Sequence, residues 1–222
     1  MSQWSVLRRF PRYAIQLPLF FRTGAAQQKA GVGWTRDISE GGARLELAER
    51  LPSRTPLQLI VRTDEGAIEL EAEVVWVREA GVGEGGALHG VGFIQIPPGE
   101  LEALRALIHA KGQVRQAGVR LPLELPVTCR RKGRGGLPVG GVTGNISRGG
   151  ILLCLPEVLP ADTVLEITLH TPKGPLTAWG ARVWVDPPER RTPGELIRQG
   201  IQFLALDGST TLSLGLCLAE GT

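Results

Sequence analysis

Apolar and polar positions alternate through most of this chain. Ile15, Leu17, Leu19 and Phe21 stand two residues apart, the spacing that puts side chains on one face of a half-buried strand. The same alternation returns at Ala43, Leu45 and Leu47, at Leu57, Leu59 and Val61, along Ile68, Leu70, Ala72, Val74 and Trp76, and at Val91 and Phe93. Between these runs lie turn-forming clusters such as Leu51-Pro52-Ser53 and Asp64-Glu65-Gly66. Short strands, frequent turns and no intervening helices predict a small antiparallel barrel, in which closure removes exposed strand edges. One segment has a helical period. Pro98 suits a first turn, Glu100 and Glu102 suit a helix N-terminus, Leu101, Leu104, Leu107 and Ile108 share a face, and Gly112 offers a stop.

The pattern is then written a second time. Arg12 to Arg22 (RYAIQLPLFFR) is echoed by Arg120 to Arg130 (RLPLELPVTCR), and Asp37 to Gly42 (DISEGG) by Asn145 to Gly150 (NISRGG), 108 residues apart in both cases. Val75-Trp76-Val77 matches Val183-Trp184-Val185 at the same offset, which slips to 110 where Gly90-Val91-Gly92-Phe93 meets Gly200-Ile201-Gln202-Phe203. Such a period exceeds the roughly 20–50 residues of solenoid repeats and has the size of a small domain. The chain is predicted to hold two duplicated domains, 1–112 and 113–222. From Asp207 onward, Leu212, Leu214, Leu216 and Leu218 alternate like a strand, but the repeat register predicts a second helix there.

Length and composition narrow the possibilities. The 222 residues suffice for two modest cores. A net charge of +3, from 25 basic and 22 acidic residues, permits an anionic ligand without demanding nucleic acid. No apolar run reaches the roughly 20 residues of a membrane span, and Met1 to Arg9 lacks the apolar stretch of a signal peptide. Cys129, Cys154 and Cys217 are odd in number and widely spaced, so they read as reduced, structural thiols of a cytoplasmic protein. His89, His109 and His170 have no ligand-like spacing, which argues against a metal or cofactor. No catalytic signature argues for an enzyme. Trp34, Trp76, Trp179 and Trp184 lie in strand contexts and read as core packing.

Candidate chemistry gathers before and after the first strand. Arg8, Arg9 and Arg12 form a cationic segment, and about 25 residues on comes Asp37-Ile38-Ser39-Glu40-Gly41-Gly42. An arginine fork matches phosphate oxygens or the O6 and N7 edge of guanine. A carboxylate accepts from guanine N1 and N2, a hydroxyl can donate or accept beside it, and paired glycines permit positive φ and close backbone approach. The R-x-x-x-R and [D/N]-x-S-x-x-G pair, in this order and spacing, resembles the motifs of the PilZ domain family, and the late Val-Trp-Val and Gly-Val-Gly-Phe strands extend the likeness over the whole unit. The resemblance implies tandem six-stranded antiparallel β-barrels, each followed by a C-terminal helix. It implies a receptor for the bacterial second messenger cyclic di-GMP, bound through Arg8, Arg9, Arg12, Asp37, Ser39, Gly41 and Gly42.

The second copy departs from that pattern. Asn145, Ser147 and Gly150 keep the second motif, but Gln116 and Ala117 stand where Arg8 and Arg9 are, and only Arg120 stays in register, with Arg115 nearby at the wrong spacing. Since a charged hydrogen bond contributes roughly 1.5–3 kcal/mol, this copy is expected to be a weak second site or none. The basic, glycine-rich Arg130 to Gly136 falls on the connection between its first two strands and reads as an exposed hairpin turn. Two other functions stay open: an adaptor that binds no nucleotide and acts through protein contacts in motility, pilus or polysaccharide systems, and a single-stranded nucleic-acid binder. An aromatic content of 5% gives the latter little support.

Overall fold

In the computed structural model, which describes residues 10–24, 29–79, 86–112, 118–132, 137–161 and 163–220, both units are barrels. The first consists of β1 (Pro18–Thr23), β2 (Ala30–Ser39), β3 (Gly42–Leu47), β4 (Pro56–Thr63), β5 (Gly66–Arg78) and β6 (Ala87–Gln95), followed by α1 (Pro98–Lys111). Its strands close antiparallel in the order β1-β2-β3-β6-β5-β4, with β4 returning to pair with β1. The second consists of β7 (Leu121–Pro122), β8 (Pro126–Arg131), β9 (Val139–Ser147), β10 (Gly150–Leu155), β11 (Val164–Thr171), β12 (Gly174–Val185) and β13 (Ile197–Ala205), followed by α2 (Gly208–Glu220). Here β9 pairs with β10 and closes a six-stranded ring, which the two-residue β7 joins as an accessory to β9. The counterpart of β7 in the first unit is the single bridge between Tyr13 and Ile38.

Each predicted strand forms, and its apolar residues point inward except Trp76, which follows a register shift after Val74. Ile15, Leu17, Leu19, Phe21, Leu45, Leu47, Leu59, Val61, Leu70 and Val74 are all buried. β2 did not stand out in the apolar pattern because a bulge interrupts its alternation. The register of β2 on β3 shifts between Thr35 and Asp37, leaving Arg36 as the extra residue. In β9 the extra residue is Gly144. Buried hydroxyls tie the entry segment down identically in both copies. Thr35 Oγ1 donates to Ile15 O and accepts from Leu17 N–H; Thr143 Oγ1 donates to Leu123 O and accepts from Leu125 N–H.

A second buried anchor is conserved in role but not in residue. Leu51 N–H donates to His89 Nε2 at 3.0 Å, while His89 Nδ1–H donates to Ala87 O. In the other unit Leu159 N–H donates to Gln199 Oε1 at 2.8 Å, and Gln199 Nε2 donates to Glu157 O. The first arrangement requires a neutral imidazole, and burial lowers the pKa of His89 below its ordinary 6.5.

The helices behave differently. α1 lies against β5 of its own barrel, burying Leu104 and Leu107. Lys111 Nζ meets Asp64 at 2.6 Å, and Glu100 accepts from Glu69 N–H. Gly112 ends α1 in right-handed geometry. A side chain there would collide with Ile108 O and the Tyr13 ring. The register-based expectation of a second helix holds: Asp207 caps α2 by accepting from Thr210 N–H at 2.7 Å. Its buried residues Thr211, Leu214, Gly215, Leu218 and Ala219 follow helical spacing. Yet α2 packs on β1, β2 and β4 of the first barrel as well as on β12 of its own.

The tryptophans need a correction. Among the described tryptophans only Trp34 is fully buried; Trp76 and Trp179 are half-buried and Trp184 is 44% exposed. Trp76 lies across Gly90, where an added Cβ would come within 2.0 Å of the indole nitrogen. Trp184 pairs with Gly200 across the strands, but more loosely, at 3.4 Å from an added Cβ. These rings rest on strand glycines outside the barrels, not in the cores. The cysteines are free thiols, and burial pushes Cys129 up to about 12.

Candidate functional site

The D-x-S-x-x-G segment is not a free loop. Asp37, Ile38 and Ser39 end β2, Glu40 and Gly41 make the two-residue turn, and Gly42 starts β3. The Ser39 hydroxyl is buried and donates to Gly42 O at 3.0 Å, as Ser147 donates to Gly150 O at 3.1 Å. These hydroxyls lock the hairpin. Gly42 is glycine for a different reason than the expected left-handed turn. Its backbone is extended (φ 159°), but a Cβ would sit 2.2 Å from Val91 O on β6. Gly150 meets Ile201 O at 2.4 Å in the same way. A Cβ on Gly41 would meet the Phe10 ring at 2.7 Å.

The two motifs meet at Asp37. Arg12 Nη1 lies 2.8 Å from Oδ1, and Arg44 Nη2 lies 2.9 Å from Oδ2. The carboxylate therefore holds two guanidinium forks at the mouth of the hairpin. Its side chain is 16% exposed, while those of Arg12 and Arg44 are 27% and 46% exposed, so the forks remain reachable from solvent. Across the turn, Arg105 of α1 grips Glu40 through Nη2 at 2.8 Å and Nε at 2.9 Å. Of the residues expected here, Arg12, Asp37, Ser39, Gly41 and Gly42 converge. Arg8, Arg9 and Arg115 lie outside the described residues.

Arg44 was not anticipated from the sequence. It follows the second motif by two positions, on the outward-facing register of β3, and the second copy has Leu152 at its place. There Asn145 Oδ1 is buried without a hydrogen-bond partner among the described residues, and Arg120 is exposed and makes no ion pair among them.

A further charged group joins the units. Glu46, fully buried on β3, meets Arg36 Nε at 3.0 Å and Arg148 Nη2 of the second unit at 2.6 Å. Arg148 also lies over the Trp34 ring, whose Nε1–H donates to Thr211 O of α2 at 2.9 Å. A Cβ on Gly215 would come within 2.6 Å of that indole nitrogen. Since Leu45 and Leu47 face the core, Glu46 and its cross-strand neighbour Trp34 face outward. The second unit covers them.

The PilZ domain family model matches residues 7–110 and again 113–219. The chain belongs to the PilZ domain family. It is a tandem PilZ protein of two closed six-stranded barrels, each followed by a helix. No curated protein matches it. Solved structures similar to it include the PilZ domain with c-di-GMP of YcgR from Escherichia coli, at 18% identity and a TM-score of 0.41, covering 47% of this chain and 90% of that one. Borreliella burgdorferi PlzA in complex with c-di-GMP is 16% identical, with a TM-score of 0.40 and coverage of 90% and 87%. The Bacillus subtilis inhibitor of motility MotI/DgrA is 10% identical, with a TM-score of 0.37 and coverage of 92% and 95%. Among the described residues no cluster of His, Cys, Asp or Glu is placed to hold a metal, and no helix is long and apolar enough to cross a membrane.

Proposed function

We propose that this tandem PilZ protein is a receptor for cyclic di-GMP, with no catalytic step of its own. In this reading the first unit, 1–112, carries the principal site, and 113–222 supplies a partner surface. The observation that carries the reading is the junction of Arg12 and Arg44 on Asp37, which joins two motifs 25 residues apart in sequence into one cationic mouth. The donor set suits the ligand. Two forks offer parallel N–H donors to a phosphodiester or to the O6 and N7 edge of guanine, and Asp37 keeps lone pairs for the N1 and N2 donors. The clamp also has a built-in exchange: a ligand phosphate competes with Asp37 for Arg12. Arg8 and Arg9 add charge from the preceding segment. Ligand binding then alters the surface formed by that segment and the hairpin, which a protein partner in motility, pilus or polysaccharide machinery reads. Family resemblance and soluble-type composition favour a cytoplasmic setting.

Calorimetric titration of cyclic di-GMP into the intact protein tests this. Wild type binds, and Arg12→Ala weakens binding at least tenfold, since one charged contact contributes about 1.5–3 kcal/mol. Absence of binding by wild type would leave the adaptor reading, in which the same hairpin acts through protein contacts alone. Unchanged affinity in Arg12→Ala would remove that arginine from the site.

A further inference from the structure

Away from the motif hairpins, the outer faces of the two barrels carry opposite charge at equivalent positions. On β5 the outward residues Glu69, Glu71 and Glu73 are exposed and enter no ion pair among the described residues. Glu100 of α1 joins them, accepting from Glu69 N–H at 3.0 Å. Phe20, Ile60 and Pro97 wall a cleft of about 430 Å³ beside these carboxylates, and Gln58, Glu69 and Glu71 supply polar lining. No described residue of the second unit lines it. Arg22, lying over the Phe20 ring, and Arg62 are the cations of this face. At the offset of 108 the three β5 carboxylates become Thr177, Trp179 and Ala181, so the barrel itself does not require acid there. Arg22, Thr23 and Gly24 become Arg130, Arg131 and Lys132, all exposed at the end of β8. Lys132 Nζ lies 4.9 Å from the centre of the Trp179 ring, and the carboxylate of this face is Glu166, the cross-strand neighbour of Arg130.

We propose that these two faces dock copies of this chain on one another, with Arg130, Arg131 and Lys132 of one copy lying against Glu69 and Glu71 of another. The faces occupy equivalent places on duplicated barrels, so they meet about a pseudo-two-fold axis, as the matching patches of an isologous dimer do. Like faces brought together would set Glu69, Glu71 and Glu73 against one another, or the three cations against one another. Only the unlike pairing is attractive, and this charge pattern selects it. Phe20 and Ile60 give the contact an apolar centre inside a charged rim. A nucleic acid could meet the cations through phosphate, but it leaves the acidic face without a role. A second copy uses both.

Sedimentation velocity of the intact protein, without nucleotide, tests this. At about 0.05 M salt the average mass rises with concentration above that of one chain, and at about 0.5 M, where screening is short-ranged, it returns to one chain. Glu69→Lys with Glu71→Lys, and separately Arg130→Glu with Lys132→Glu, each weaken self-association at least about tenfold. All four side chains are exposed, so the fold is kept. Mixing the two charge-reversed variants restores association, because each then offers the charge the other needs; loss of folding could not give that rescue. Glu102→Lys with Glu195→Lys makes the same change of net charge at exposed positions elsewhere and leaves association in place. A single-chain mass for wild type at low salt overturns the proposal, as does association that survives both reversals. A monomer that binds a single-stranded DNA oligonucleotide, and loses it on Arg130→Glu with Lys132→Glu, assigns the basic face to nucleic acid and also overturns it.

Discussion

The two barrels share strands, hydroxyl anchors and hairpin glycines, but they differ on the faces they turn toward each other. The first barrel carries Trp34, Arg36, Arg44 and Glu46 where the second has Val142, Gly144, Leu152 and Cys154. The second carries Arg148 where the first has Glu40. Arg148 reaches across to a buried Glu46, whereas Glu40 turns back to Arg105 of its own helix. The helices repeat the contrast: α1 serves its own barrel and α2 serves both. Duplication supplied the scaffold; divergence at a few outward positions of β2, β3 and their hairpins joined the two copies through Arg148, Glu46 and α2.

Charge reversal at the diverged hairpin position should break the comparison most sharply. Arg148→Glu sets a second carboxylate beside the buried Glu46, and loss of an internal pair of this kind costs about 3–5 kcal/mol. Chemical denaturation should show that loss. The matching change in the first unit, Glu40→Arg, disturbs a pair whose arginine is 58% exposed, and should cost no more than about 1 kcal/mol. Equal losses in the two variants would contradict a special role for the inter-unit contact.

The buried anchors separate the barrels by acidity. His89 must stay neutral to accept from Leu51 N–H, and its pKa is lowered by burial, so the unfolded chain binds more protons than the folded one as pH falls below about 6.5. The stability this anchor gives is complete above that pH and is lost as pH falls through the lowered folded value, at no more than about 1.4 kcal/mol per pH unit. Gln199 does not titrate. His89→Gln, which copies the second barrel, should flatten the fall in unfolding midpoint between pH 6.5 and 5. An unchanged slope would show that the acid sensitivity lies elsewhere.

A smaller effect is expected at the hairpin turns. Gly41→Ala must displace the Phe10 ring, while Gly149→Ala enters open space. Gly41→Ala should lower cyclic di-GMP affinity a few-fold and stability by under about 1 kcal/mol, and Gly149→Ala should leave the melting temperature unchanged.

The barrels were legible in the sequence because an offset of 108, slipping to 110 only at the last strand, ties β runs to their partners: Pro18–Thr23 becomes Pro126–Arg131 and Pro56–Thr63 becomes Val164–Thr171. The register also decided the Leu212–Leu218 segment correctly as helix against its misleading alternation. Arg12, Asp37 and Ser39 were legible as a motif, but the hydroxyl of Ser39 closes the hairpin and does not stand free toward a ligand. Arg44, Arg36 and Arg148 stayed hidden because periodicity displays what two copies share, and these residues act where the copies differ. Comparing the copies position by position, Gly144 against Arg36 and Leu152 against Arg44, is the signal that points to them.

The seating of α2 bears on the order in which this protein can mature on the ribosome. N-terminal domains generally fold first as they emerge, yet the outward face of β2 and β3, with Trp34 and Glu46, is covered by Arg148 and by Thr211 and Gly215 of α2. During elongation the first barrel lacks the α2 carbonyl that takes the Trp34 indole N–H and the Arg148 contact to Glu46 until those parts of the second unit have been made. A nascent chain stalled short of α2 therefore displays its defect on the half already made, where chaperones and proteases would meet it.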